Sequence, residues 1–189
     1  MYNLKITLII LPLKTQMKRG RRLDPLADFF PVSEEEVNVE QQPFEFNVIY
    51  HLDLTGQVKF GKLPEETLYK VFQDGRAAAR LLEHYLVLLV PGLVYVDAAG
   101  HDFVLGKVKL ECKCYTRTGL NMAPSHMVGK GRKIDKLKLQ SAAKDLVYIF
   151  CDITTFPKIR IVFQQGSVMI KEFPNGHVKF HQGWRIFPE

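Results

Sequence analysis

The sequence predicts one α+β domain in which a central mixed β-sheet is flanked by helices, and three observations lead there. Period-two hydrophobic stretches dominate from residue 93 to 181, while helix-period stretches are confined to 64–89 and 134–143. No internal repeat and no linker-like stretch divides the chain. Its 189 residues, 47% hydrophobic and 24% charged, suffice for one self-sustaining core.

Leu4 to Leu11 is apolar and rich in β-branched residues, which predicts a buried strand ended by Pro12. A start at Met17 would remove that strand. Lys18 to Pro43 is polar and broken by Pro25 and Pro31, so it reads as connection with a short helix. Phe44 to Phe60 alternates as two strands turning at Thr55-Gly56. From Pro64 the pattern is helical, with an interruption at Asp74-Gly75. A second helix follows over Arg76 to Leu89, apolar at 78, 81, 82, 85, 86 and 89 and stopped by Pro91-Gly92. Strands are expected at 93–97, 101–105 and 108–115, then a basic, Gly-rich loop at 116–133 and a helix at 134–143. Further strands are expected at 146–152, 159–163, 167–173 and 177–181. Residues 1–43 thus form an N-terminal strand and charged arm, 64–153 the functional core, and 154–189 additional β-hairpins. Those hairpins are expected to pack on the sheet or on another subunit, with Trp184 in the core rather than serving as a base-stacking platform.

Ile6 to Leu11 is too short to span a bilayer, which takes about 20 residues. It leads into Lys14, Lys18, Arg19, Arg21 and Arg22 rather than a cleavage site, so no signal peptide and no membrane association are expected. Three cysteines make no disulfide framework and fit a reducing, cytoplasmic setting. The net charge is +6, unevenly spread: residues 1–30 carry +4, residues 31–75 carry −6, and residues 101–144 carry +7. Two basic blocks point to a polyanionic partner, because clustered Lys and Arg neutralise phosphates and release counterions. The acidic stretch with Glu34, Glu35 and Glu36 belongs on a surface turned from that partner. No Walker loop, Rossmann fingerprint or Ser–His–Asp ordering occurs.

Residues 93–115 carry the chemistry. Lys107, Lys109, Glu111, Lys113 and Tyr115 alternate with Val108, Leu110, Cys112 and Cys114, so the polar set shares one strand face. Gly106-Lys107 suits a two-residue type II′ hairpin turn. That register pairs Leu105 with Val108, Val104 with Lys109, Phe103 with Leu110 and Asp102 with Glu111. Two carboxylates side by side repel, and a divalent cation offsets the repulsion most simply. Mg²⁺ takes one or two carboxylates plus waters and substrate phosphates, and a neighbouring lysine can orient water or steady developing charge. An ordinary Lys–Glu network on a solvated sheet is the alternative. Cys112 and Cys114, with His101 and Cys151, hint at zinc, but their thiols fall on the apolar face.

An aspartate on a hairpin followed by Glu-X-Lys on the next strand resembles the PD-(D/E)XK nuclease superfamily, which includes most Type II restriction endonucleases. The matching residues are Asp102 and Glu111-Cys112-Lys113. The resemblance implies a restriction endonuclease-like core, with Mg²⁺ (Mn²⁺ substituting) held by Asp102, Glu111 and the backbone carbonyl of Cys112. It assigns Lys113 to water activation and Glu83, on the preceding helix, to a further acid. It covers about residues 70–153. No proline precedes Asp102, where His101 stands, and Asp97 competes for the hairpin acid.

Arg117, Asn121, Ser125, His126, Lys130, Arg132 and Lys133, just after the Glu-X-Lys strand, are candidate DNA contacts, since such side chains read base edges or phosphates. Lys18 to Arg22 is a candidate minor-groove or phosphate-binding arm. The expectation is a Mg²⁺-dependent endonuclease that cuts double-stranded DNA as a homodimer, a sequence-specific Type II restriction enzyme. The alternatives are a structure-specific nuclease such as a Holliday-junction resolvase, a homing endonuclease, or a non-catalytic DNA-binding module.

Overall fold

The computed structural model describes residues 43–98, 100–124, 127 and 134–188. The expected strand at Leu4 to Leu11, the basic arm at Lys18 to Arg22 and the acidic run at Glu34 to Glu36 lie outside the described residues. The described chain is one α+β domain. Its elements are β1 (Ile49–Asp53), α1 (Glu65–Phe72), α2 (Gly75–Leu89), β2 (Val94–Ala98), β3 (His101–Leu105), β4 (Val108–Tyr115), β5 (Leu120–Asn121), α3 (Lys136–Lys144), β6 (Leu146–Asp152), β7 (Lys158–Gln165), α4 (Gly166–Glu172) and β8 (His177–Val178), followed by a 3-10 helix at Phe180–Arg185.

The main sheet has six strands in the order β1-β7-β6-β4-β3-β2. Only β4 and β6 run parallel; their crossover is the segment containing α3. The other neighbours are antiparallel, so the sheet is mixed as expected. β6 is buried at every position because both of its faces are covered. Val147, Ile149 and Cys151 join the core formed with α2, while Leu146, Tyr148 and Phe150 join the core formed with α3 and α4. α2 buries Ala78, Leu82 and Leu86 at helical spacing, and the Asp74 carboxylate caps it by accepting the Arg76 N–H at 2.8 Å. α3 is capped likewise by Asp135, which accepts from the N–H groups of Leu137 and Lys138. Among the described residues, no helix is long and apolar enough to cross a membrane.

Three expectations are corrected. Residues 44–60 supply one strand, not two. After β1 the Asp53 carboxylate accepts the Thr55 N–H at 2.9 Å, and the Gly56 N–H is accepted by Glu65 of α1 at 2.6 Å, which sends the chain into α1. The strand expected at 167–173 is replaced by α4, because Gly166, Met169, Ile170 and the capping Phe173 form the buried stripe while Val168 is exposed. That i, i+3, i+4, i+7 spacing is the helical one. Gly166 also needs to be glycine, since a Cβ there would run into the Ala143 carbonyl. Of the expected C-terminal hairpins, β7 pairs antiparallel with β6 and the short β8 with β5, but Phe180–Arg185 is a 3-10 helix, which leaves Trp184 69% exposed rather than in the core.

Asp152, at the end of β6, is a buried carboxylate with a structural task. One oxygen accepts from the Thr154 N–H and hydroxyl, the other from Arg160 of β7 at 2.6 and 3.1 Å. Arg160→Ala is expected to cost about 3 kcal/mol of stability, because it strands that charge in the interior. Urea unfolding of the two proteins measures the loss.

Candidate metal and catalytic site

The β3–β4 hairpin positions the site. Gly106 has φ +56°, and Lys107 is not at positive φ, which fits the expected type II′ turn. The ladder follows the expected register from Leu105–Val108 through Val104–Lys109 to Phe103–Leu110, and there it ends. In an antiparallel ladder every second residue exchanges both backbone bonds with its partner. Continuing that alternation would bring Cys112 onto His101. Instead His101 pairs with Ala98 of β2, and the Asp102 carboxylate accepts the Cys112 N–H at 2.8 Å. The expected Asp102–Glu111 ladder pair is therefore replaced by a side-chain contact one residue further along β4. The Cys112 carbonyl leaves the strand on the same side as its N–H, toward the edge where Asp102 stands.

β4 carries Glu111 and Lys113 on the face opposite the buried Cys112 and half-buried Cys114. The Lys113 ammonium donates to Glu111 Oε1 at 2.6 Å, with both side chains largely withdrawn from water. Tyr148 is the β6 partner of Glu111, and its buried ring, stacked on Phe150, forms an apolar wall beside the carboxylate. Burial pushes the Glu111 carboxyl above the usual value, and the Asp102 charge adds to that, while Lys113 opposes both. Burial also raises the Tyr148 hydroxyl, with the Glu111 charge as the second cause.

Glu83 stands on α2, two turns from its N-terminus, and is held by Arg80 at 3.0 Å and the Tyr95 hydroxyl at 3.3 Å. Burial raises its carboxyl and the Asp102 charge raises it further, whereas Arg80 lowers it. Asp102 is thus the electrostatic link between Glu83 and Glu111. The partners of Glu83 were not foreseen; the only sequence signal was Arg80 three residues before it, at ion-pair spacing.

Among the described residues, no group of three or more His, Cys, Asp or Glu side chains is disposed to hold a metal ion. The chemistry of the donors nevertheless suits Mg²⁺, which needs only one or two carboxylates, main-chain oxygen and water. Burial, more than the Asp102 charge, raises the Glu111 carboxyl, and a bound cation would favour its ionised form. Zinc through sulfur is not favoured. The Cys112 and Cys151 sulfurs lie 3.9 Å apart in the core, and Cys112 is held protonated by that contact and by burial.

The recognition candidates fare unevenly. The start of the expected 116–133 loop is a tight turn, with mutual backbone hydrogen bonds between Thr116 and Gly119. Gly119, at φ +93°, abuts the Val178 carbonyl. Arg117 is exposed at its tip and lines a cavity of about 290 Å³ with Asp74, Thr116, Thr118 and Thr154. Asn121 lies in β5, and its side-chain oxygen accepts the Ala123 N–H at 2.9 Å. Ser125, His126, Lys130, Arg132 and Lys133 lie outside the described residues, as does the side chain of Asp97. Comparison with family models, curated proteins and solved structures returns no match for this chain.

Proposed function

We propose that the protein is a Mg²⁺-dependent endonuclease hydrolysing phosphodiester bonds of duplex DNA. The observation that carries this reading is the contact between the Asp102 carboxylate and the Cys112 N–H. It brings the hairpin aspartate against the Glu111-Cys112-Lys113 strand at the point where the ladder opens. Asp102, Glu111 and the Cys112 carbonyl would hold Mg²⁺, which when bound supplies Lewis-acid charge to a phosphate oxygen and acidity to water. Lys113, close to Glu111, presents an ammonium that can donate to the attacking water or to the developing phosphorane oxygen. Glu83, whose carboxyl is raised by burial and by the Asp102 charge, would be the further acid of the site. A homodimer would match a palindromic cleavage site, as two-fold protein symmetry matches two-fold DNA symmetry.

Plasmid incubated with the protein is expected to be cut with Mg²⁺ or Mn²⁺ and to stay intact with EDTA. Discrete fragments would mean sequence recognition. Intact supercoiled plasmid and intact branched DNA in every metal would overturn the reading. Lys113→Ala is expected to lower the cleavage rate about 10²–10⁴-fold, the range for removing a group that manages protons in the transition state. Gel-shift affinity for DNA in EDTA should change little.

A further inference from the structure

The C-terminal 3-10 helix exposes two large aromatic side chains, Phe180 at 51% and Trp184 at 69%. Phe180 is firmly mounted. The Phe180 ring lies on the Tyr115 ring at 5.9 Å and an interplanar angle of 16°, and the Tyr115 hydroxyl donates to the Phe180 carbonyl. Gly183 packs so closely on Tyr115 that a Cβ would run into its hydroxyl, and the buried Phe187 closes on the same ring. Tyr115 thus fixes the orientation of a flat π-face whose other side meets solvent.

Tyr115 is also the last residue of β4, on the face that bears Glu111 and Lys113. At about 3.3 Å of rise per residue, it stands about 7 Å beyond Lys113 and about 13 Å beyond Glu111. Lys179, His181 and Arg185 are exposed around the two rings, and residues 173–188 contain no acidic side chain. Arg185 is engaged by Glu172 of α4 at 2.6 Å, which leaves Lys179 and His181 as the exposed donors beside the two rings. Exposed aromatics on a basic surface are how proteins take unpaired bases, because every base has a π-face to stack. A fully paired duplex offers no such face along its length.

We propose that the Phe180–Arg185 turn binds an unpaired nucleotide of a DNA strand, with Phe180 and Trp184 stacking on bases and Lys179 and His181 meeting phosphates. Within the proposed duplex substrate, the bases next to the scissile phosphate would then be unpaired, at a flap, a junction, a frayed end or a step opened on binding. Its place in catalysis rests on the nuclease reading, but stacking is measured without cleavage. Trp184 is the sole tryptophan, so its emission reports on the turn directly.

The full chain in EDTA is titrated with an oligothymidylate of about 12 nucleotides, within the range of known single-strand sites. Saturable quenching of Trp184 is expected, with a blunt duplex of equal length binding about tenfold more weakly. Phe180→Ala should weaken oligonucleotide binding about tenfold, and Phe180→Tyr should restore it. If Phe180→Ala melts early, Trp184→Ala decides instead, read by anisotropy of a labelled strand, with the same tenfold loss expected. Unchanged emission with single strand, equal affinity for duplex, or unchanged affinity in the decisive variant would overturn the proposal. Quenching without cleavage of any DNA would sink the nuclease reading alone, whereas cleavage without quenching would sink the stacking site alone.

Discussion

Replacing Glu111 by Gln is expected to remove DNA cleavage, by about 10²–10³-fold or more, while leaving the protein folded and at least as stable. Both halves follow from the same surroundings. The carboxylate is buried against Tyr148, faces the Asp102 charge and is offset chiefly by Lys113. Its ionised form therefore costs the fold something that a neutral amide of equal shape does not. The amide keeps an oxygen to accept from Lys113, now 2.6 Å from Glu111, so the packing of the strand is preserved. What it loses is the negative charge that would hold Mg²⁺. Single-turnover cleavage and thermal melting of the two proteins test the pair of statements. A Glu111→Gln protein that still cuts at the native rate contradicts the site assignment, and one that unfolds early contradicts the account of its strain.

The second expectation concerns pH and metal together. Burial raises the carboxyls of both Glu83 and Glu111 above their ordinary 4.5, so the folded chain binds these protons more tightly than the unfolded one. The stabilisation that follows is complete below the unfolded value and is lost as pH rises through the folded values. In EDTA, the melting temperature of the native protein should accordingly fall relative to that of Glu111→Gln as the buffer moves from acidic to neutral. Mg²⁺ binds the ionised form and should return the loss at neutral pH. At tenfold its dissociation constant the rise is about 3–6 °C for a domain of this size. The rise should shrink on acidification, as protons compete for the ligand oxygens. Cleavage should decline over the same acidic range. Differential scanning fluorimetry across pH, with EDTA or Mg²⁺, reads all of this, and a Mg²⁺ rise that persists in a Glu111→Gln, Asp102→Asn double variant would assign the ion to another place.

Much of the site was legible because strand chemistry is local. The alternation from Lys107 to Tyr115 and the Gly106-Lys107 turn fix the hairpin register, and the structure keeps every pair that lies inside the ladder. The break after Phe103–Leu110 was not legible. It depends on His101 turning to Ala98 and on a carboxylate replacing a backbone acceptor, neither of which leaves a trace in periodicity. Long-range partners were hidden for the same reason: nothing in the sequence brings Tyr148 beside Glu111, or Tyr95 onto Glu83, before the strands are ordered. Val168 and Ile170 imitate a strand until the stripe from Gly166 to Phe173 is seen against α3. The exposure of Trp184 runs against the expected core placement, which rested on a large aromatic side chain being, on average, highly buried.

The most direct test is to locate the ion. Crystals grown with Mn²⁺ and measured at its absorption edge should show one anomalous peak bonded to Asp102, Glu111 and the Cys112 carbonyl, with water filling the remaining positions. A peak elsewhere, or none at a Mn²⁺ concentration that supports cleavage, would contradict the account.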